Sequence, residues 1–485
     1  MRMIGVFHLL ALALAGFAAA LLLPAAIGFA AGEYHSAGIF TVVAGLVGFL
    51  AGGVYLALRG HTRSLDRVAG YVLVVGIWVI PPLLAAIPLM RIADVTYVTA
   101  LFEAVSGYTT TGASALKAIA PLGFSGIFFR AELQWLGGLM TLLTIVAVIS
   151  PSGLGGIPRV ALVASTDRRF NRLGGTLRQI TITYLTITIA CAGFLLATSI
   201  PPFDAVCLAL STVSTGGFMP IQGNLSAYDS TFAELIIAVF MLIGATSIVW
   251  HRMMLEGRWS MMAKHRESYW TIGMALLAGL LYAIAYMVER SGSDSFSFFD
   301  SLRDGFFTGA SLVSTTGFDA HQSGLAALPL PIVLLFAMIG GSAISTAGGI
   351  KYYRIGGMLT LSLQELRRLV YPHSIRTARL GAASYDLAQM KSIWSSLVVG
   401  LFVIVIAAMM IATSEPNFDG ALTAAISSFS NIGPVYSTGW TAPDVWPAYA
   451  DFSAFSKLVM IATMILGRIE VLVLLGALNL AYWRS

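Results

Sequence analysis

Phe102-Glu103-Ala104-Val105-Ser106-Gly107-Tyr108-Thr109-Thr110-Thr111-Gly112-Ala113 closes a short apolar segment, 97–108, with a run of hydroxyl side chains and a glycine. The ending recurs three times. It reads Val213-Ser214-Thr215-Gly216-Gly217-Phe218, then Val313-Ser314-Thr315-Thr316-Gly317-Phe318, then Phe429-Ser430-Asn431-Ile432-Gly433-Pro434. The last glycines, Gly112, Gly217, Gly317 and Gly433, are 105, 100 and 116 residues apart. Each copy follows a short apolar segment, at 97–108, 203–213, 300–313 and 418–429. Recurrence of this kind marks one supersecondary unit used several times.

Ten longer apolar segments surround the copies, at about 6–30, 37–58, 69–90, 123–150, 177–200, 231–255, 270–289, 328–350, 392–413 and 453–482. A spanning helix needs about 20 apolar residues, so these reach across a bilayer and the short segments reach half-way. The short ones read as re-entrant helices. The expected fold is an all-α membrane protein with ten transmembrane helices plus four re-entrant pore helices, in four span–pore helix–span repeats around one pore. Residues 1–66 hold two extra N-terminal spans, and the repeats cover 67–158, 159–265, 266–380 (its second span broken) and 381–485.

Composition agrees. Of the 485 residues 57% are hydrophobic and only 11% charged, and the mean hydropathy is +0.84. A soluble domain carries about 25% charged residues. The first segment, with Arg2 before an apolar core, has features of a signal peptide, but its length favours a retained span. Cys191 and Cys207 form no CxxC pair, and the seven histidines lack metal-ligand spacing. Motifs for ATP hydrolysis or hydrolytic chemistry are missing, and the spans offer no nucleophile–base pair, which argues against an intramembrane enzyme.

Basic residues set the orientation. With the N-terminus inside, 19 of the 28 Lys and Arg fall in cytosolic loops, among them Arg59, Arg63 and Arg67, Arg159 to Arg178, Arg252 to Arg266, and Lys351 to Lys391. The outside loops hold Asp229, Asp294 and Asp444. The positive-inside rule therefore places both termini in the cytoplasm. It also accounts for the net charge of +5 without nucleic acid.

A loop at membrane depth leaves backbone groups unpaired, which is tolerated only where protein or water surrounds it. Glycine permits the positive φ that turns successive carbonyls toward an axis. Four such loops give rings of oxygens that can replace a cation's hydration shell. An acid precedes each loop, in Phe102-Glu103, Phe203-Asp204, Phe299-Asp300 and Phe418-Asp419, with Asp304 a second candidate in the third repeat. These acids are expected to cap or neutralise the short helices' N-termini. Gly/Ser/Thr clusters also serve as close helix contacts in membranes; four copies in corresponding places favour the loops.

On these motifs the chain resembles the Trk/Ktr/HKT superfamily of potassium transporters, and the Trk type in particular. Gly-Gly-Ser-Ala-Ile-Ser-Thr-Ala-Gly-Gly-Ile-Lys (340–351) and Gly-Arg-Ile-Glu (467–470) add to the match, as do the two extra N-terminal spans. The resemblance implies potassium uptake across the bacterial inner membrane, with K+ as permeant ion and no organic cofactor in this chain. It implies a filter at Thr110, Thr111, Gly112, Thr215, Gly216, Gly217, Thr315, Thr316, Gly317, Asn431, Ile432 and Gly433. Glycine at all four filter positions is the family's potassium-selective pattern; serine at the first, here Gly112, accompanies sodium transport in some members. Also implied are a homodimer with one pore per subunit and a cytosolic nucleotide-binding ring of RCK/KTN type as gating partner.

The segment 340–351 is crowded with Gly340, Gly341, Ser345, Gly348 and Gly349. That composition lowers helix propensity and suits either a hinge or a tight helix contact; the resemblance points to a gating loop below the filter. Arg468, near the middle of the last span, should face a wet cavity or a partner. It either pairs with Glu470 or another acid, or sits below the filter as an electrostatic barrier. The basic loop 351–391 is a docking surface for the cytosolic partner or a solvated inside loop. A secondary transporter coupling K+ to Na+ or H+ is the competing function. It usually needs midplane acids and inverted repeats, whereas these repeats share one orientation and the acids are few, Glu470 the clearest.

Overall fold

The computed structural model describes residues 3–60, 67–150, 169–263, 265–290, 297–320, 324–371, 379–380, 383–384, 387–415, 417–436 and 446–478. Arg63, Arg159, Arg168, Lys264, Asp294, Arg376 and Asp444 lie outside them, as do 372–378 of the basic loop. Among the described residues, seven helices are long and apolar enough to cross a membrane. They are Ile4–Ala30, Tyr34–Ala57, Val68–Ala93, Ala120–Ile149, Gly174–Leu196, Arg266–Glu289 and Gln389–Ala412. Their outer faces expose Phe49, Ile189, Phe194, Val288 and Phe402, an apolar surface suited to lipid.

Three expected spans are not straight helices. Thr231–Ala245 and Ile248–Leu255 meet at 104°, and Ala454–Ile469 and Val471–Ala477 at 93°. In the third repeat Leu330–Met338 is helical, but the chain then opens into a loop. The loop's ends pair as a two-residue parallel ladder, Ile339–Gly340 with Ile350–Lys351, before Tyr352–Val370 resumes as helix. The sequence reading expected a break only there; the other two were missed. The reason lies in pairing between repeats. Ser342 N–H donates to the Ala245 carbonyl at 2.9 Å, Thr346 N–H to that of Gly244 at 3.2 Å, and Ile248 N–H to that of Ile344 at 2.9 Å. The third repeat's loop thus takes up backbone groups freed where the second repeat's span breaks, which membrane depth requires.

The four short helices are present as Tyr97–Tyr108, Pro202–Val213, Phe298–Val313 and Phe418–Ser430. Thr96, Ser297 and Asn417 cap three of them, each side chain accepting a backbone N–H from the first turn. Asp204, Asp300 and Asp419 lie in first turns, where the helix dipole favours a negative charge. Glu103 does not: it sits in the second turn and bonds elsewhere, which corrects its expected capping role. Asp304 stands seven residues before Ser311, as Asp204 does before Ser211. It is the true counterpart of Asp204, because the third helix starts about one turn earlier.

Candidate ion pathway

Each short helix ends in the same way. The N–H groups of Thr111, Gly216, Thr316 and Ile432 reach back to the carbonyls of Ser106, Ser211, Ser311 and Ser427, at 2.8 to 3.1 Å. The preceding N–H groups, of Thr110, Thr215, Thr315 and Asn431, reach Gly107, Thr212, Leu312 and Ser428. This is a Schellman end, whose pivotal residue is left-handed and usually glycine. Here the pivots are Thr110 (φ 55°), Thr215 (56°), Thr315 (59°) and Asn431 (54°). A β-branched residue in that region costs about 1–3 kcal/mol and persists only where its surroundings enforce it. Sequence reasoning assigned positive φ to the glycines alone and missed these four. The signal was available, since the same hydroxyl or amide residue follows each short helix.

Gly112, Gly217 and Gly317 also have positive φ, at 77°, 83° and 79°. Gly433 does not. It opens a 3-10 turn, Gly433–Val435, so the fourth loop departs from the expected pattern.

The four loops close a ring. A methyl group added at Gly112 would overlap the Gly216 carbonyl oxygen, and one at Gly217 the Thr316 oxygen. One at Gly317 would crowd the Pro434 ring, and one at Gly433 the Ala113 backbone. First loop therefore meets second, second meets third, third meets fourth, and fourth meets first. The last contact is also a hydrogen bond, Gly433 N–H to the Thr111 carbonyl at 2.6 Å. Asn431 Nδ2 donates to Thr111 Oγ1 at 3.0 Å across the same junction. Thr110, Thr111, Thr215, Thr315, Thr316, Asn431 and Ile432 are all buried.

The ring is not fourfold identical, and Gln134 explains one difference. Its Oε1 accepts from Ser211 Oγ at 2.7 Å and from Phe218 N–H at 3.2 Å. Its carboxamide fills the space a side chain at 216 would need. Gly216 thus stands where the first and third loops have Thr111 and Thr316, because a neighbouring span supplies the polar group.

The 340–351 loop packs against the pivots. Gly348 N–H donates to Thr315 Oγ1 at 2.7 Å, and Thr215 Oγ1 to Thr346 Oγ1 at 3.3 Å. A methyl at Gly348 would overlap the Ser430 carbonyl, and one at Gly341 that of Ala245. A methyl at Gly340 would strike the Gly348 carbonyl, Gly349 has φ 63°, and Ser345 Oγ donates to the Ser342 carbonyl. Glu267 accepts the Ala343 N–H, and Lys351 donates to the Ala347 carbonyl.

Arg468 is not mid-helix. It is the penultimate residue of Ala454–Ile469, beside the break at Glu470, where a helix C-terminus favours a cation. Its Nη2 donates to the Thr346 carbonyl at 2.7 Å. Glu470 pairs with Arg354, not with Arg468. Gly137, Gly244 and Gly467 press against the carbonyls of Tyr108, Val213 and Phe429, one on each of three short helices. The next residue is Gly138, Ala245 or Arg468. Arg468 therefore puts a charge where the first two repeats carry almost no side chain.

A ring of four loops at the ends of short helices, set among apolar helices long enough to cross a membrane, has the architecture of a cation transport protein. Comparison with known families bears this out: the TrkH cation transport protein family matches residues 40–271 and 323–478. The Trk system potassium uptake protein TrkH of Salmonella typhimurium is 29% identical over 437 residues, 88% of each chain. TrkH of Escherichia coli K12 is 28% identical over the same share. The crystal structure of the potassium transporter TrkH from Vibrio parahaemolyticus superposes with a TM-score of 0.85 at 27% identity, covering all of both chains. The chain belongs to the TrkH family: it is a Trk-type membrane subunit, a multi-pass transporter and not an enzyme.

Proposed function

We propose that this chain takes potassium into the cell across the bacterial inner membrane, through a filter formed by residues 110–112, 215–217, 315–317 and 431–433. The cyclic set of contacts from loop to loop carries the reading, since it brings four oxygen-bearing turns around one axis. The relatives are named for potassium uptake. Gly340, Gly341, Ser345, Gly348 and Gly349 form the gating loop, and Arg468 places positive charge on it. Both termini are cytoplasmic by the bias of Lys and Arg. A homodimer and a cytosolic nucleotide-binding ring of RCK/KTN type complete the assembly, on the family resemblance. The midplane acid favoured for coupling, Glu470, is engaged by Arg354, which supports passive flux over coupling to Na+ or H+.

The test is uptake of 86Rb+ into liposomes holding the purified protein, against excess K+, Na+ or Li+. K+ is expected to suppress uptake and Na+ to leave it nearly unchanged. Equal suppression by both would overturn the filter reading. The same assay probes the Gln134 substitution. Gly216→Thr alone should lose most uptake, because overpacking costs about 1–3 kcal/mol. Gly216→Thr with Gln134→Ala should recover part of it by restoring the Thr111 and Thr316 pattern. Equal loss in single and double variants would show that Gln134 does not govern residue 216.

A further inference from the structure

Glu103 and Arg130 form an ion pair at 2.8 Å, with side chains 0% and 4% exposed. Glu103 lies on the first short helix and Arg130 on the span that follows the first loop. The partners of the pair belong to the chain just beyond two filter loops. Glu103 accepts from Ser114 Oγ at 3.0 Å and from Ala115 N–H at 3.0 Å, both directly after the first loop. Arg130 donates to the Met219 carbonyl at 3.3 Å, and its guanidinium lies 4.0 Å from the Phe218 ring centroid, both directly after the second. It also donates to Ser114 Oγ at 3.4 Å. The pair therefore ties the outer end of the first loop to that of the second, where Gly112 abuts Gly216.

A buried ion pair is poor value as a stabiliser, since desolvation offsets most of its attraction. What it supplies is fixed geometry: a carboxylate accepting several bonds, and a planar fork whose donors point in set directions. We infer that Glu103 and Arg130 are positioning residues for ion discrimination, holding the first two loops at the spacing that lets their carbonyls replace potassium's hydration shell. Neither residue touches the ion; both act through backbone. The inference rests on the filter reading above. Two elements apart in sequence, the pair carried no motif by which the sequence could announce it.

The experiment uses full-length protein in liposomes, wild type beside Glu103→Gln, Arg130→Gln, Arg130→Lys and Ser114→Ala. It reads the ratio of K+ to Na+ competition against 86Rb+, with thermal stability measured in parallel. Glu103→Gln and Arg130→Gln should keep measurable flux while the ratio falls about tenfold, the factor expected from losing one charge-assisted hydrogen bond. Arg130→Lys should recover part of the ratio by keeping the charge. Ser114→Ala removes one tie without stranding a buried charge, so it tests the brace even if the charge variants do not insert. It should lower the ratio by about tenfold as well, since its hydroxyl bonds both the Glu103 carboxylate and the Arg130 guanidinium. Lower stability with an unchanged ratio in every folded variant would reduce the pair to a fold brace and overturn the inference. A wild type that does not discriminate K+ from Na+ would instead sink the filter reading itself.

Discussion

Arg468→Ala is expected to raise 86Rb+ uptake into proteoliposomes by about tenfold over wild type. Two effects act in the same direction. The guanidinium is buried next to the 340–351 loop and donates to the Thr346 carbonyl at 2.7 Å. A hydrogen bond from a charged group contributes about 1.5–3 kcal/mol, and each 1.4 kcal/mol of lost closure is about a factor of ten in the open population. On the proposed filter reading, removing the charge should also lower an electrostatic barrier to a cation leaving the four loops. Arg468→Lys separates the two. Lysine keeps the charge but not the fork, so flux close to wild type assigns the barrier to charge, and flux close to that of alanine assigns it to the tie on Thr346. Unchanged flux in a folded, inserted Arg468→Ala protein would remove Arg468 from the gate.

Gly112→Ser should abolish most of the preference for K+ over Na+, a change of at least about tenfold in competition against 86Rb+. The backbone at Gly112 has φ 77°, and a Cβ there would overlap the Gly216 carbonyl oxygen. A side chain in the left-handed region costs roughly 1–2 kcal/mol by itself. The overlap adds to that by displacing an oxygen of the neighbouring loop, so one substitution disturbs two members of the ring. Gly45→Ser serves as control: it lies in the Tyr34–Ala57 span, and a Cβ there meets nothing within 4 Å. It should leave both flux and preference as they are. A Gly112→Ser protein that still favours K+ as wild type does would mean that the loop contacts are structural and that the discriminating oxygens lie elsewhere.

Much of this architecture was legible in the chain itself. Hydropathy and length separate spans from half-spans, because lipid requires every spanning backbone group to be paired within its own helix. The Ser/Thr–Gly endings mark four equivalent places, and the excess of Lys and Arg on one side sets the expected orientation. The crowded glycines at 340–351 allowed a hinge or a tight helix contact, and the family resemblance turned that choice toward a broken span. The bends at Thr246 and at Glu470 were invisible, because both segments are apolar enough to read as straight helices. At Thr246 the break is stabilised by Ser342, Ile344 and Thr346 of another repeat. Glu470 looked like a partner for Arg468 because the two are close in sequence, but a φ of 66° turns the chain there and Arg354 takes the carboxylate. Glu103 was singled out only as a helix-capping acid, and neither Gln134 nor Arg130 carried a signal that distant loops would meet it. Local pattern and the solvent's demands thus determined where the apolar segments lie, which of them are too short to span and where the four loops begin. Which loop touches which, where the second and fourth repeats' spans bend and which charges meet were decided only when distant segments packed together, because those contacts join residues tens to hundreds of positions apart.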